Sequence, residues 1–129
     1  NDIADNKETY EELEKSKNIL KRMKRAFIKR SEQADLIAEH IKKTPYKVIV
    51  CGDFNDTPSS YAYHTISANL HDAFVESGNG FGRSYAGRFP SFRIDYILHD
   101  NSFRNYEFRT IRKELSDHYP VVCYLEMRD

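Results

Sequence analysis

Val48-Ile49-Val50-Cys51-Gly52-Asp53-Phe54-Asn55 decides how this chain is read. Val48 to Cys51 is continuously apolar, the pattern of a strand buried on both faces. Gly52 lets the backbone turn sharply where that strand ends. Asp53 and Asn55 stand two residues apart, so an extended backbone projects both the same way. A carboxylate there can bind a cation or take a proton from water. A carboxamide can donate to a phosphoryl oxygen without adding charge. The plain alternative is an Asx-rich turn. An EF-hand loop does not fit: counting from Asp53, Pro58 stands where Gly is required and His64 where Glu is required.

Two further runs place polar groups beside apolar ones. Arg93-Ile94-Asp95-Tyr96-Ile97-Leu98 has a carboxylate inside a strand pattern, and Ser116-Asp117-His118-Tyr119-Pro120-Val121-Val122 puts Asp-His just ahead of one. Carboxylates beside buried strands are costly unless hydrated, paired or bound to a cation. Asp95 has two candidate partners, Arg93 in a structural role or a catalytic histidine. A lone Asp-His pair is common on solvated surfaces. A histidine held by a carboxylate, by contrast, keeps a fixed orientation and a raised pKa, which suits it to hold or protonate a phosphate oxygen. Convergence of all three runs would build a hard-metal and phosphate site at one sheet edge.

Around these runs, residues 5 to 43 contain no Gly and no Pro. Leu13, Leu20, Phe27, Ala34 and Ile41 recur every seven residues, an amphipathic helix signal strongest from Arg25 to Lys43. A helix over residues 5 to 43 spans roughly 58 Å, against roughly 36 Å for a compact chain of this length. It must therefore break, or pack its N-terminal half on something outside this fold. Pro45 ends it. Strands are expected at Tyr46–Cys51, Phe92–Leu98, Phe103–Thr110 and Tyr119–Glu126. Thr57-Pro58 reads as a capped helix start, with a short helix to Ile66. Leu70 to Val75 reads as a further turn or two. Gly78, Gly80, Gly82 and Gly87 mark a loop from Glu76 to Pro90. That loop lacks the Lys and the strand–loop–helix setting of a P-loop, and Ser59 and Ser60 lack a nucleophile elbow.

The totals bound the class. The 129 residues suffice for one domain with a core. A 40% hydrophobic and 13% aromatic content argues for a folded chain. Twenty basic residues balance twenty acidic ones, so net charge makes no case for a broad nucleic-acid or membrane footprint. Cys51 and Cys123 lie in apolar runs and read as buried reduced thiols without zinc-ligand spacing. No apolar run approaches the roughly 18 residues of a bilayer span.

Gly-Asp-Phe-Asn at 52–55, Arg-Ile-Asp-Tyr at 93–96 and Ser-Asp-His-Tyr-Pro-Val at 116–121, in this order, resemble the endonuclease/exonuclease/phosphatase family. Its members include deoxyribonucleases, abasic-site endonucleases, sphingomyelinases and inositol-polyphosphate 5-phosphatases. The resemblance covers about Ser31 to Asp129. It implies an α/β (α+β) fold, the C-terminal half of a four-layer αββα sandwich. In this chain that is one mainly antiparallel sheet over residues 44–129, with a long N-terminal helix over 1–43. The implied activity is metal-dependent hydrolysis of a phosphate ester, with Mg²⁺ or Mn²⁺. Asp53 would orient or deprotonate water, Asn55 would bind the phosphate, His118 would hold a phosphoryl oxygen and Asp95 would orient His118. Asp117, with Asp53, would serve the metal.

The family's N-terminal half carries a metal-binding Glu, an Asn and a second His ahead of Asp53, and no matching motif stands in residues 1 to 43. The chain therefore reads as a fragment, catalytically incomplete by itself. Its sheet face away from the helices is expected to be apolar and bare, and so to self-associate as a two-fold dimer. The alternative from another class is a non-catalytic interaction module that uses the coiled-coil-like helix.

Overall fold

The computed structural model describes residues 2–86 and 92–129; Gly87 and Pro90, two of the expected loop markers, lie outside them. The chain divides into two compact units, one up to Gln33 and one over Ala34–Asp129. The helix α1 runs over Asp2–Lys43, so of the two alternatives the break does not occur.

In the second unit, β1 is Ile49–Asp53, α2 Tyr61–Ser67, β2 His71–Asp72, α3 Ala73–Ser77, β3 Asp95–His99, β4 Phe103–Thr110 and β5 Val121–Met127. The α/β class is as expected, but the strands do not form one sheet. Among the described residues they form a three-stranded sheet of order β1-β3-β2 and a two-stranded sheet β4-β5, each antiparallel.

Alternation along β3 explains the division. Tyr96 and Leu98 point to one face and pack with Ala34, Ala62 and Ile66 of the helices. Ile97 points to the other face and joins Ala73, Phe108, Val121 and Cys123. So β5 meets β3 side chain to side chain, without a hydrogen-bonded ladder. The face opposite the helices, expected to be bare, is partly covered from within the chain. What stays open lies on the outer strands, with Ile49 47% and Tyr124 57% exposed.

This corrects the reading of Val48–Cys51 as doubly buried. Among the described residues β1 has a hydrogen-bonded neighbour on one side only, Val50 is half-buried and Cys51 is exposed. Both cysteines are free thiols, Cys51 exposed and Cys123 half-buried, and burial pushes the Cys123 pKa up.

Other differences are local. Thr57-Pro58 forms a turn, and the helix starts three residues later. There Ser60 is the N-cap, its hydroxyl accepting from the Tyr63 amide at 3.1 Å. A two-residue strand precedes α3 where only a turn was expected. In β4 a bulge between Tyr106 and Arg109 puts Glu107 at φ 51° and turns Phe108 into the core.

Candidate active site

The register of β1 and β3 sets the site. The two strands pair so that Asp53 lies directly opposite Asp95 at their shared end. The amide of Phe54 continues the contact, donating to the Ile94 carbonyl at 2.9 Å. Beyond Asp53 the chain turns. The Asn55 amide donates to Asp53 Oδ1 at 2.7 Å, and Asn55 adopts φ 51°, a left-handed conformation that Asn tolerates better than most residues. The Asx turn offered as the plain alternative is therefore present. It fixes the Asp53 carboxylate and does not exclude chemistry, but the backbone at Asn55 is left-handed, not the extended one expected to project both side chains the same way.

His118 reaches this end from the segment that enters β5. Its Nδ1–H donates to Asp95 Oδ2 at 2.8 Å, and its Nε2 lies 3.6 Å from Asp53 Oδ2. The bond to Asp95 is the main cause of a raised His118 pKa. Partial burial opposes it, and the charges of Asp95, Asp53 and Asp117 add to it. The shift favours the imidazolium form, whose Nε2 faces the Asp53 carboxylate.

The two partners open to Asp95 in the sequence are now separated. Arg93 turns the other way, donating to Asp72 Oδ2 at 2.8 Å in a buried pair. Tyr63 also donates to that oxygen, at 2.7 Å. The guanidinium lies 4.6 Å from the Phe74 ring centroid and 4.9 Å from that of Tyr96. With Arg93 committed there, Asp95 is left to the histidine. Tyr96 locks the strand beside it: its hydroxyl donates to the carbonyls of Asp56 and Arg93, both at 2.8 Å, and burial pushes its pKa up.

Asp53, Asp95 and His118 offer ligand atoms all within 4.8 Å of one another, a group that could hold a metal ion. The donor set fits a hard divalent cation. The carboxylates supply oxygens, while His118 Nδ1 is already bonded to Asp95. Asp117 is exposed and outside this close group; its backbone carbonyl accepts from the Ala86 amide at 2.7 Å.

Ser84 is a positioning residue that the sequence did not single out. It is completely buried, and its hydroxyl accepts from the amides of Ile94 and Asp95 at 2.9 and 3.0 Å. Its carbonyl accepts from the Tyr119 amide. One residue of the Gly-rich loop thus ties the Asp95 strand to the His118 segment. Tyr85 follows it, bridged to His118 through the backbone, with ring centroids 5.8 Å apart. Gly82 makes this approach possible: at φ +67°, a Cβ there would fall 2.6 Å from the Phe74 ring. No local pattern around Ser84 marks it, because its partners lie ten and more residues away.

Residues 25–118 match the model of the Endonuclease/Exonuclease/phosphatase family, and the chain belongs to that family. No curated protein matches it. Among solved structures it is similar to a mannosyl-6-phosphatase of Bacteroides thetaiotaomicron VPI-5482, at 25% identity and TM-score 0.60, over 76% of this chain and 46% of that one. An endonuclease/exonuclease/phosphatase from Bacteroides vulgatus is 30% identical, with TM-score 0.63, over 77% and 44%. A functionally unknown conserved protein of Enterococcus faecalis V583 shares the fold at 17% identity, with TM-score 0.63, over 77% and 44%. The chain thus spans less than half the length of these structures.

Proposed function

We propose that this chain carries one half of a metal-dependent phosphoesterase site, and that alone it is catalytically incomplete. The observation behind this reading is His118, held by Asp95 at 2.8 Å with Nε2 turned toward Asp53 at 3.6 Å. In hydrolysis, water oxygen forms a bond to phosphorus while the bond to the ester oxygen breaks. Asp53 takes the water's proton, and the leaving oxygen is protonated from solvent. The Nε2–H of imidazolium His118 donates to a non-bridging phosphoryl oxygen as charge gathers there, with Asp95 fixing the ring. The Asn55 carboxamide holds the phosphate by a neutral hydrogen bond.

Asp53 would hold Mg²⁺ or Mn²⁺ with Asp95 beside it, and Asp117, outside the close group, would serve the metal through water. A bound divalent cation neutralises charge on the phosphate and polarises it. The likeness to a mannosyl-6-phosphatase favours a phosphomonoester as substrate.

Two arms test the proposal. Hydrolysis of phosphomonoesters and diesters by the 129-residue chain with Mg²⁺ should stay at background. Joined to the remaining half of a family domain, the chain should turn over, and Asn55→Ala should cut kcat there by roughly 10² or more. Turnover by the chain alone would refute incompleteness. Unchanged kcat in the Asn55 variant would remove its role.

A further inference from the structure

The apolar surface left most open lies on the first unit. Leu13, Leu20, Met23 and Phe27 are each more than half exposed, and Ile3 and Tyr10 more so. Leu13, Leu20 and Phe27 continue the seven-residue spacing of Ala34 and Ile41, and those last two pack in the core of the second unit. The spacing is therefore already used once for packing, and a seven-residue apolar repeat is the geometry of a helix–helix seam.

Charge along the same helix is segregated. Asp2 to Glu14 holds six acidic residues and one Lys, net −5; Lys15 to Lys29 holds seven basic residues and no acidic one, net +7. Within the basic block Lys17, Lys21, Arg25 and Lys29 follow one another at four-residue intervals. Like charges at that interval destabilise a helix, so the block calls for an acidic neighbour. One is at hand at its start, where Lys17 Nζ lies 3.8 Å from Glu14.

We infer that this helix pairs with the same helix of a second copy, antiparallel, each acidic block lying on the other's basic block, with Leu13 set against Leu20 and Tyr10 against Met23 across the seam. A parallel in-register pair would set seven basic residues against seven. An anionic membrane surface would satisfy the basic block but repel the acidic one. The antiparallel pair alone matches both blocks and covers the seam. It belongs to the helix and is independent of the phosphoesterase reading.

Sedimentation velocity of the full 129-residue chain at micromolar concentration tests this. A dimer is expected at 50 mM salt, with Kd raised at least tenfold at 500 mM, where screening shortens to a few ångström. Leu20→Glu should give a monomer of unchanged second-unit stability. So should the triple variant Glu8→Lys, Glu11→Lys, Glu12→Lys. Mixing that triple variant with Lys21→Glu, Arg22→Glu, Arg25→Glu should restore a dimer.

Orientation is read by cross-linking in a Cys51→Ser, Cys123→Ser background. Glu8→Cys should link to Arg25→Cys and not to itself. Self-linking of Glu8→Cys would overturn the antiparallel arrangement. A monomer at every salt would overturn the pairing, as would a monomer that binds vesicles of phosphatidylserine.

Discussion

Strand β3 carries a histidine environment at each end, and the two are opposites. At one end Asp95, opposite Asp53, holds the half-buried His118 between carboxylates. At the other, β3 ends in His99, opposite Ile49 and only 1% exposed. His99 Nδ1–H donates to the Asp100 carbonyl at 2.8 Å, and its Nε2 accepts from Asn105 Nδ2 at 2.7 Å. That amide also donates to Glu76 Oε1 at 2.8 Å. His99 has every ring nitrogen spent on neutral protein groups, so no edge is left for a substrate. His118 has one nitrogen fixed and the other aimed at an acidic opening. Histidine in a strand register says little; what occupies its two nitrogens decides between structure and chemistry.

Exchanging the roles should show this first and most strongly. In an active, completed domain, His118→Ala should lower kcat roughly 10²-fold or more while the fold's stability changes little. His99→Ala should do the reverse. It should leave kcat of the folded fraction within about twofold, and cost about 2–4 kcal/mol in a urea titration, as large-to-small core changes do. Equal effects on kcat from both variants would break the distinction.

Ser84→Ala sharpens the site end. It leaves the Ile94 and Asp95 amides without their acceptor, which should cost about 1–3 kcal/mol. The His118–Asp95 pair should loosen with it, visible as a smaller shift in the His118 imidazole titration by NMR. Stability loss with an unaltered titration would make Ser84 purely structural.

The smallest effect is in pH. The folded pKa of His118 is raised above its unfolded value. Its contribution to stability is therefore full below the unfolded value of about 6.5 and fades as pH rises through the folded one. The stability difference between the parent chain and Asp95→Asn should shrink from pH 6 to pH 9. A difference that grows with pH would mean that the pair is not what raises this pKa.

Element types were legible where period and breakers agree. The helix to Lys43, the strand into Asp53 and the paired strands β4 and β5 follow from apolar spacing and from Pro45 and the His99–Ser102 turn. The sheets were not. Alternation along Tyr96-Ile97-Leu98 shows that both faces are buried, but not that β5 covers one of them, because that depends on contacts between residues more than twenty apart. At the site, Asp53, Asp95 and His118 stood out as polar groups beside apolar runs. The choice between Arg93 and His118 as partner of Asp95 needed Asp72 to be placed first. Ser84 stayed silent because a buried serine in a Gly-rich loop looks like any other loop serine.

Asn55 has a consequence for which substitutions the site can accept. Its backbone sits at φ 51°, where Gly, Asn and Asp are the residues that fit without much strain. Of those three, Gly keeps the turn but offers no side-chain donor, and in the proposed phosphate-binding role Asp would bring a negative charge toward the substrate. The position is therefore filtered twice, once by backbone and once by chemistry, and asparagine alone passes both filters. A saturation library at this codon in a completed domain should separate the two: Gly should fold and fail to turn over, while β-branched residues should lose the fold's local turn as well.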